Sequence, residues 1–178
     1  MSLHPAGAVA WWRDLQPDPA RNRTGDRGAL ARLRRCATVG EAMQEPSTID
    51  LFRRCGGTGP RDLPAAGLAA AVLAHVRQED PAEPSIARRV GPDSTDKAET
   101  ALLKPLRFRR LMEAETPDER LIAFRRLVAL AGGKLNVRDL ADALLAWTEE
   151  RQRRWVYAYW NAGQPTPTAA THAEETTA

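Results

Sequence analysis

Arginine carries most of the chemistry this sequence can offer. Of its 26 basic residues, only Lys97, Lys104 and Lys134 are lysine and the other 23 are arginine. A guanidinium grips phosphate through paired, coplanar N–H donors and stacks on flat rings, so such a bias suits contact with nucleic acid. A genome of skewed base composition produces the same bias, and composition alone does not separate the two. The arrangement is more telling. Residues 21–35, RNRTGDRGALARLRR, hold Arg21, Arg23, Arg27, Arg32, Arg34 and Arg35 against the single acid Asp26. KPLRFRR supplies Lys104, Arg107, Arg109 and Arg110; Arg120, Arg125 and Arg126 form a third group; Arg151, Arg153 and Arg154 form a fourth beside Trp155. Arg53 and Arg54 are a smaller pair. Clusters distributed over several elements fit a surface that follows a phosphate backbone rather than one helix lodged in a groove. Any single arginine also has a plainer reading, as a solvated or ion-paired side chain. The aromatics Trp147, Trp155, Tyr157, Tyr159 and Trp160 read as base-stacking platforms or, more simply, as core or interface.

Little else points to chemistry. There is no Walker loop, GxGxxG, HExxH or GxSxG. His4, His75 and His172 stand apart from any Ser or Cys that could act as a nucleophile. The acids Glu113, Glu115, Asp118 and Glu119, and the pair Asp139 and Asp142, read as helix caps or, alternatively, as carboxylates of a metal-dependent nuclease. Cys36 and Cys55 belong to no CxxC and read as reduced thiols of a cytoplasmic protein, with a disulfide or a zinc site as the alternative. We therefore expect no catalysis, no metal and no cofactor. The longest apolar stretch, Leu63 to Ala74, is too short for a membrane span, and the N-terminus does not read as a signal peptide.

The elements that must position these arginines read as helices. The chain has 178 residues, 43% apolar and 28% charged, enough for one domain or two small lobes. Residues 1–161 carry 26 basic and 21 acidic residues, a net +5. No run of alternating β-branched residues argues for a sheet. Helices are expected over about Pro5–Leu15 and from Asp26, with Leu30, Leu33 and Ala37 inward and Arg27, Arg34 and Arg35 on other faces. Four capping pairs follow: Thr38 with Glu41, Ser47 with Asp50, Thr116 with Glu119, and Asn136 with Asp139. CGGTGPRD is a loop, followed by an Ala-rich helix from Asp62 to about Glu79 on which His75 marks a polar edge. Residues 85–100, rich in Pro, Gly and charge, read as a linker with one short turn at Ser85–Val90. Beyond it come helices at about Leu102–Ala114, Pro117–Ala131 and Val137–Trp160, the last roughly 36 Å long if unbroken. The expected fold is all-α: a helical lobe over 1–84, the linker 85–100, a second lobe over 101–161, and a disordered tail over 162–178.

The order of these motifs resembles a known family. An early tryptophan-bearing helix precedes RGALARLRR; then come RFRRLMEAET, ERLIAFRRLVALAGG and LNVRDLADALLAWTEERQRRWVYAYW. Over residues 8–161 this is similar to the CasB family, the small subunit of the type I-E CRISPR Cascade surveillance complex, and most similar in the C-terminal part. The resemblance implies two small helical bundles and no enzymatic activity. It implies two copies of the subunit in a ribonucleoprotein, with the other Cascade subunits, guide RNA and target DNA as partners. There the subunit holds the displaced strand and stabilises the R-loop. It also suggests which residues meet nucleic acid: Arg34 and Arg35, Arg125 and Arg126, Arg107 in the RFRRL motif, and Arg151 and Arg153. Arg27 and Arg110 join them from the same clusters. The alternative reading is a purely structural helical adaptor whose arginines pair with acidic partner surfaces.

Overall fold

The computed structural model describes residues 3–164. Ten α-helices account for most of them: α1 (Pro5–Leu15), α2 (Arg27–Arg35), α3 (Val39–Met43), α4 (Pro46–Arg54), α5 (Leu63–Leu73), α6 (Ile86–Val90), α7 (Pro105–Glu113), α8 (Pro117–Leu130), α9 (Val137–Leu145) and α10 (Glu149–Tyr159). Single turns of 3-10 helix lie at Pro19–Arg21, Pro60–Asp62 and Ala98–Thr100. The all-α reading holds, apart from one parallel pairing of two-residue strands, β1 (Gln78–Glu79) with β2 (Lys134–Leu135). The expected tail lies, from residue 165 onward, outside the described residues.

The helices start where the sequence supplies an oxygen for the orphan N–H groups of a first turn. Asp26, Thr38, Ser85, Asn136 and Thr148 each accept from a backbone N–H of the helix they open. Thr116 and Glu119 form a reciprocal capping box on α8, with Pro117 in its first turn. The pair Ser47 and Asp50 is a correction. Helix α4 begins earlier, with Glu45 at the cap position and Pro46 in the first turn, so Ser47 lies inside the helix.

Helix α5 is apolar on every side, which marks a helix buried all round. Ala66 to Leu73 are all buried, and α5 packs against α2, α3, α4, α8 and α9. Gly67 lets α3 come close: a Cβ there would meet the Cγ of Met43 at 2.8 Å and the carbonyl oxygen of Val39 at 3.2 Å. Helix α1 packs on α4 and α9, with the indole N–H of Trp11 donating to Ser47 O at 2.8 Å and that of Trp12 to Val76 O at 3.1 Å.

Three expectations change. The Ala-rich helix stops at Leu73 rather than near Glu79, because the chain turns there to pair with β2; the Arg77 and Gln78 N–H groups both donate to Gly133 O. Within the expected linker 85–100, the short turn forms as α6 and packs into the fold, while residues 93–100 are exposed or half-buried. Ile86, Ala87 and Val90 are fully buried, α6 packs on α10, and buried side chains from both expected lobes join in one hydrophobic cluster. The long last helix is broken over Ala146–Thr148. In a continuous helix Trp147 and Trp155 would stand about 12 Å apart along the axis. The break brings their ring centroids to 5.2 Å, edge to face, and both pack edge-on to Phe124, at 5.4 and 5.7 Å.

Candidate nucleic-acid interface

Arg34 and Arg125, one from each of the two basic pairs of the sequence, come together beside His75. Arg125 projects from α8 to the C-terminal ends of α2 and α5. Its Nη2 donates to Leu33 O at 3.0 Å, Nη1 to Cys36 O at 2.7 Å, and Nε and Nη2 both to Ala71 O at 3.3 Å. Arg34 completes the end of α5, with Nε donating to Ala74 O at 2.7 Å. Helix C-termini leave carbonyls unpaired and carry partial negative charge, so both guanidiniums sit where the backbone favours a cation.

Around His75 the charge is one-sided. Burial, and then the nearby guanidiniums of Arg125, Arg34 and Arg77, push the His75 imidazole down to about 4, so it is neutral at physiological pH. Burial lowers both Arg34 and Arg125, and Arg77 lowers Arg34 further. Among the described residues none of Arg34, Arg77 and Arg125 forms an ion pair with a carboxylate. Next to Arg34 and Arg125 in the chain stand Arg35 and Arg126, both exposed and both without an ion pair among the described residues; Arg35 shares a surface groove with Glu41 and Glu45.

The remaining candidates divide by environment. Arg27 opens α2 and is exposed; Arg107 and Arg110 are exposed on α7 while Phe108 and Leu111 face inward. Arg151 is held inside the chain, with Nη2 2.7 Å from Asp142 Oδ2 and Nη1 on Ala146 O, and its side chain is 15% exposed. Arg153 is 73% exposed and pairs loosely with Glu149 at 3.8 Å. Of the nine candidates, then, Arg34, Arg125 and Arg151 are bound up with the chain's own carbonyls and carboxylate, whereas Arg27, Arg35, Arg107, Arg110, Arg126 and Arg153 present their guanidiniums to solvent.

The sequence reading passed over Arg77 and Arg138, both exposed and without an ion pair among the described residues. Arg138 was within reach of it: Val137, Leu140, Ala141 and Leu144 define the buried stripe of α9, and Arg138 falls off that stripe. Arg77 was not, because it follows the unforeseen end of α5. Two of the clustered acids serve helix starts. Glu119 accepts from the Glu115 and Thr116 N–H groups, which hold its carboxyl below the usual range, and Asp118 accepts from the Val39 N–H at 2.7 Å, tying α8 to the start of α3. No helix among the described residues is long and apolar enough to cross a membrane.

An all-helical chain with arginines displayed over several of its helices defines the class. The particular family follows from comparison: residues 29–160 match the model for CRISPR-associated protein Cse2, and the chain belongs to that family, the CasB family of the resemblance noted above. Its fold is similar to a chain in the crystal structure of E. coli Cascade bound to a PAM-containing double-stranded DNA target, with a TM-score of 0.61 and 20% identity over 85% of this chain and 95% of that one. No curated protein matches the sequence.

Proposed function

We propose that this protein is the non-catalytic small subunit of a type I-E CRISPR surveillance complex, and that its exposed arginines hold the backbone of the displaced DNA strand and so stabilise the R-loop. Family membership over residues 29–160 carries the assignment. The arginine environment supports the mechanism. R-loop formation exchanges one duplex for another of nearly equal stability, so a few kcal/mol of phosphate contact suffices to bias it. Such contacts need no base-edge readout and hence no fixed recognition helix. Arg35 and Arg126, next in the chain to Arg34 and Arg125, form the centre of the surface. Arg27, Arg107, Arg110 and Arg153 extend it, and Arg125 and Arg34 hold the helices that carry the central pair. Partners in this reading are the other Cascade subunits, guide RNA, target DNA and a second copy of this chain, in the cytoplasm.

The test is co-expression with the other type I-E subunits and a guide RNA, followed by native mass spectrometry and a measurement of R-loop lifetime. Incorporation at two copies per particle, with an R-loop shortened when Arg35 and Arg126 are both changed to Gln, is the expected result. Incorporation with an unchanged R-loop lifetime and unchanged salt dependence identifies a structural adaptor instead.

A further inference from the structure

Tyr157 is the one exposed residue among the Phe, Tyr and Trp of the described residues, at 60% exposure. The others are buried or half-buried in the fold. Leaving such a ring in water forgoes the free energy its burial would supply, and here Val156 beside it is 41% exposed as well. The two belong to a groove of about 720 Å³ on α10, lined also by Met112 of α7, Glu149, Arg153 and Trp160. That volume lies in the range of sites for small ligands.

The charge at the rim narrows the occupant. Among the described residues Arg153 has one ion pair, with Glu149, itself 91% exposed, and a pair so open to water is weak enough to be exchanged for a phosphate. Arg109 is exposed one turn before Met112 on α7, whereas Arg154 turns away to Asp142 at 3.8 Å. A flat ring and an apolar floor with guanidiniums at the edge match a flat apolar face joined to an anion. An apolar peptide supplies no such anion, and a double helix keeps its base faces inside the stack.

We propose that this groove is a stacking site for an unpaired base of single-stranded nucleic acid, with Tyr157 as the platform and Arg153 on the neighbouring phosphate. The inference rests on the function proposed above and adds to it a contact with bases. It calls for no particular base, because every base presents a π face.

The experiment compares an oligothymidylate with an abasic oligomer of equal length and charge, using the full chain alone and within the reconstituted complex. Wild type should bind the thymidylate about tenfold more tightly than the abasic strand. Tyr157→Ala should abolish that ratio and leave abasic binding and its salt dependence unchanged, and Tyr157→Phe should retain the ratio. Arg153→Gln should weaken both probes alike. Equal binding of the two probes by wild type, or an unaltered ratio in Tyr157→Ala, overturns the stacking site while leaving the phosphate-binding surface intact. Loss of both probes in Tyr157→Ala, or its failure to enter the complex, makes the groove a structural or partner contact and also overturns it. If wild type binds neither oligomer in either form, the phosphate-binding reading falls and the stacking site with it.

Discussion

Arg125 in α8 and Leu33 in α2 are joined by a 3.0 Å hydrogen bond from guanidinium to carbonyl, across 92 residues of sequence. The same guanidinium reaches Cys36 and Ala71, so one side chain gathers the ends of two helices onto a third. Its neighbour Arg126 makes none of these contacts and faces solvent. Two consecutive arginines thus have opposite duties, and substitution should separate them. Arg125→Gln leaves the three carbonyls short of donors and should destabilise the fold by about 2–4 kcal/mol. Arg126→Gln should stay within about 0.5 kcal/mol of wild type. Chemical denaturation of both variants checks this.

The same pair predicts the reverse for nucleic acid. Each phosphate contact removed from a single strand should reduce the slope of log affinity against log salt by about 0.7. Arg35→Gln, Arg107→Gln, Arg110→Gln and Arg126→Gln should each lower the slope by about that amount, and additively. A titration of single-stranded DNA binding across salt concentrations measures it; slopes equal to wild type would remove those residues from the surface.

His75 predicts an acid sensitivity. Its imidazole sits at about 4 in the folded chain and near 6.5 when unfolded, because it is half-buried among Arg125, Arg34 and Arg77. Between those values the unfolded chain binds the extra proton, so stability rises with pH. The contribution is complete above about 6.5 and is lost as the pH falls towards 4. Solvent screening of a half-buried group limits it to about 1–2 kcal/mol. His75→Gln should flatten the stability profile between pH 4 and 6.5 relative to wild type, as read from denaturation midpoints at several pH values.

Gly91 predicts a steric limit. A Cβ at that position would stand 2.1 Å from the carbonyl oxygen of Tyr159, so α6 and α10 could not keep their spacing. Tyr159 is itself fixed by its hydroxyl, which donates to Leu103 O at 2.6 Å, and by its ring, stacked 3.8 Å from that of Phe108. Gly91→Ala should therefore destabilise by about 1–3 kcal/mol, visible as a lowered Tm.

The helical class and most helix starts were readable because caps and apolar stripes are local signals. Thr116 with Glu119 predicts the start of α8 from four residues. What escaped is non-local. Residues 85–100 read as a linker from Pro, Gly and charge, yet the burial of Ile86 and Val90 depends on α10, which lies some sixty residues further on. The break at Ala146–Thr148 was signalled by Thr148, but its cause is the meeting of Trp147, Trp155 and Phe124. The arginine clusters were plain in the sequence. Their division into internal and outward guanidiniums was not, since Arg125 and Arg126 differ only by the rotation of one residue along α8.

The docking of α1 on α9 has a consequence for how the chain is made. Helix α1 ends at Leu15 and its partner begins at Val137, so the ribosome completes the first long before it supplies the second. Throughout that interval the indoles of Trp11 and Trp12 and the apolar sides of α5 lack their native cover on α8 and α9. Cooperative closure of the core waits until most of the message has been read, and the unfinished chain is a natural client for chaperones and a natural target for proteases.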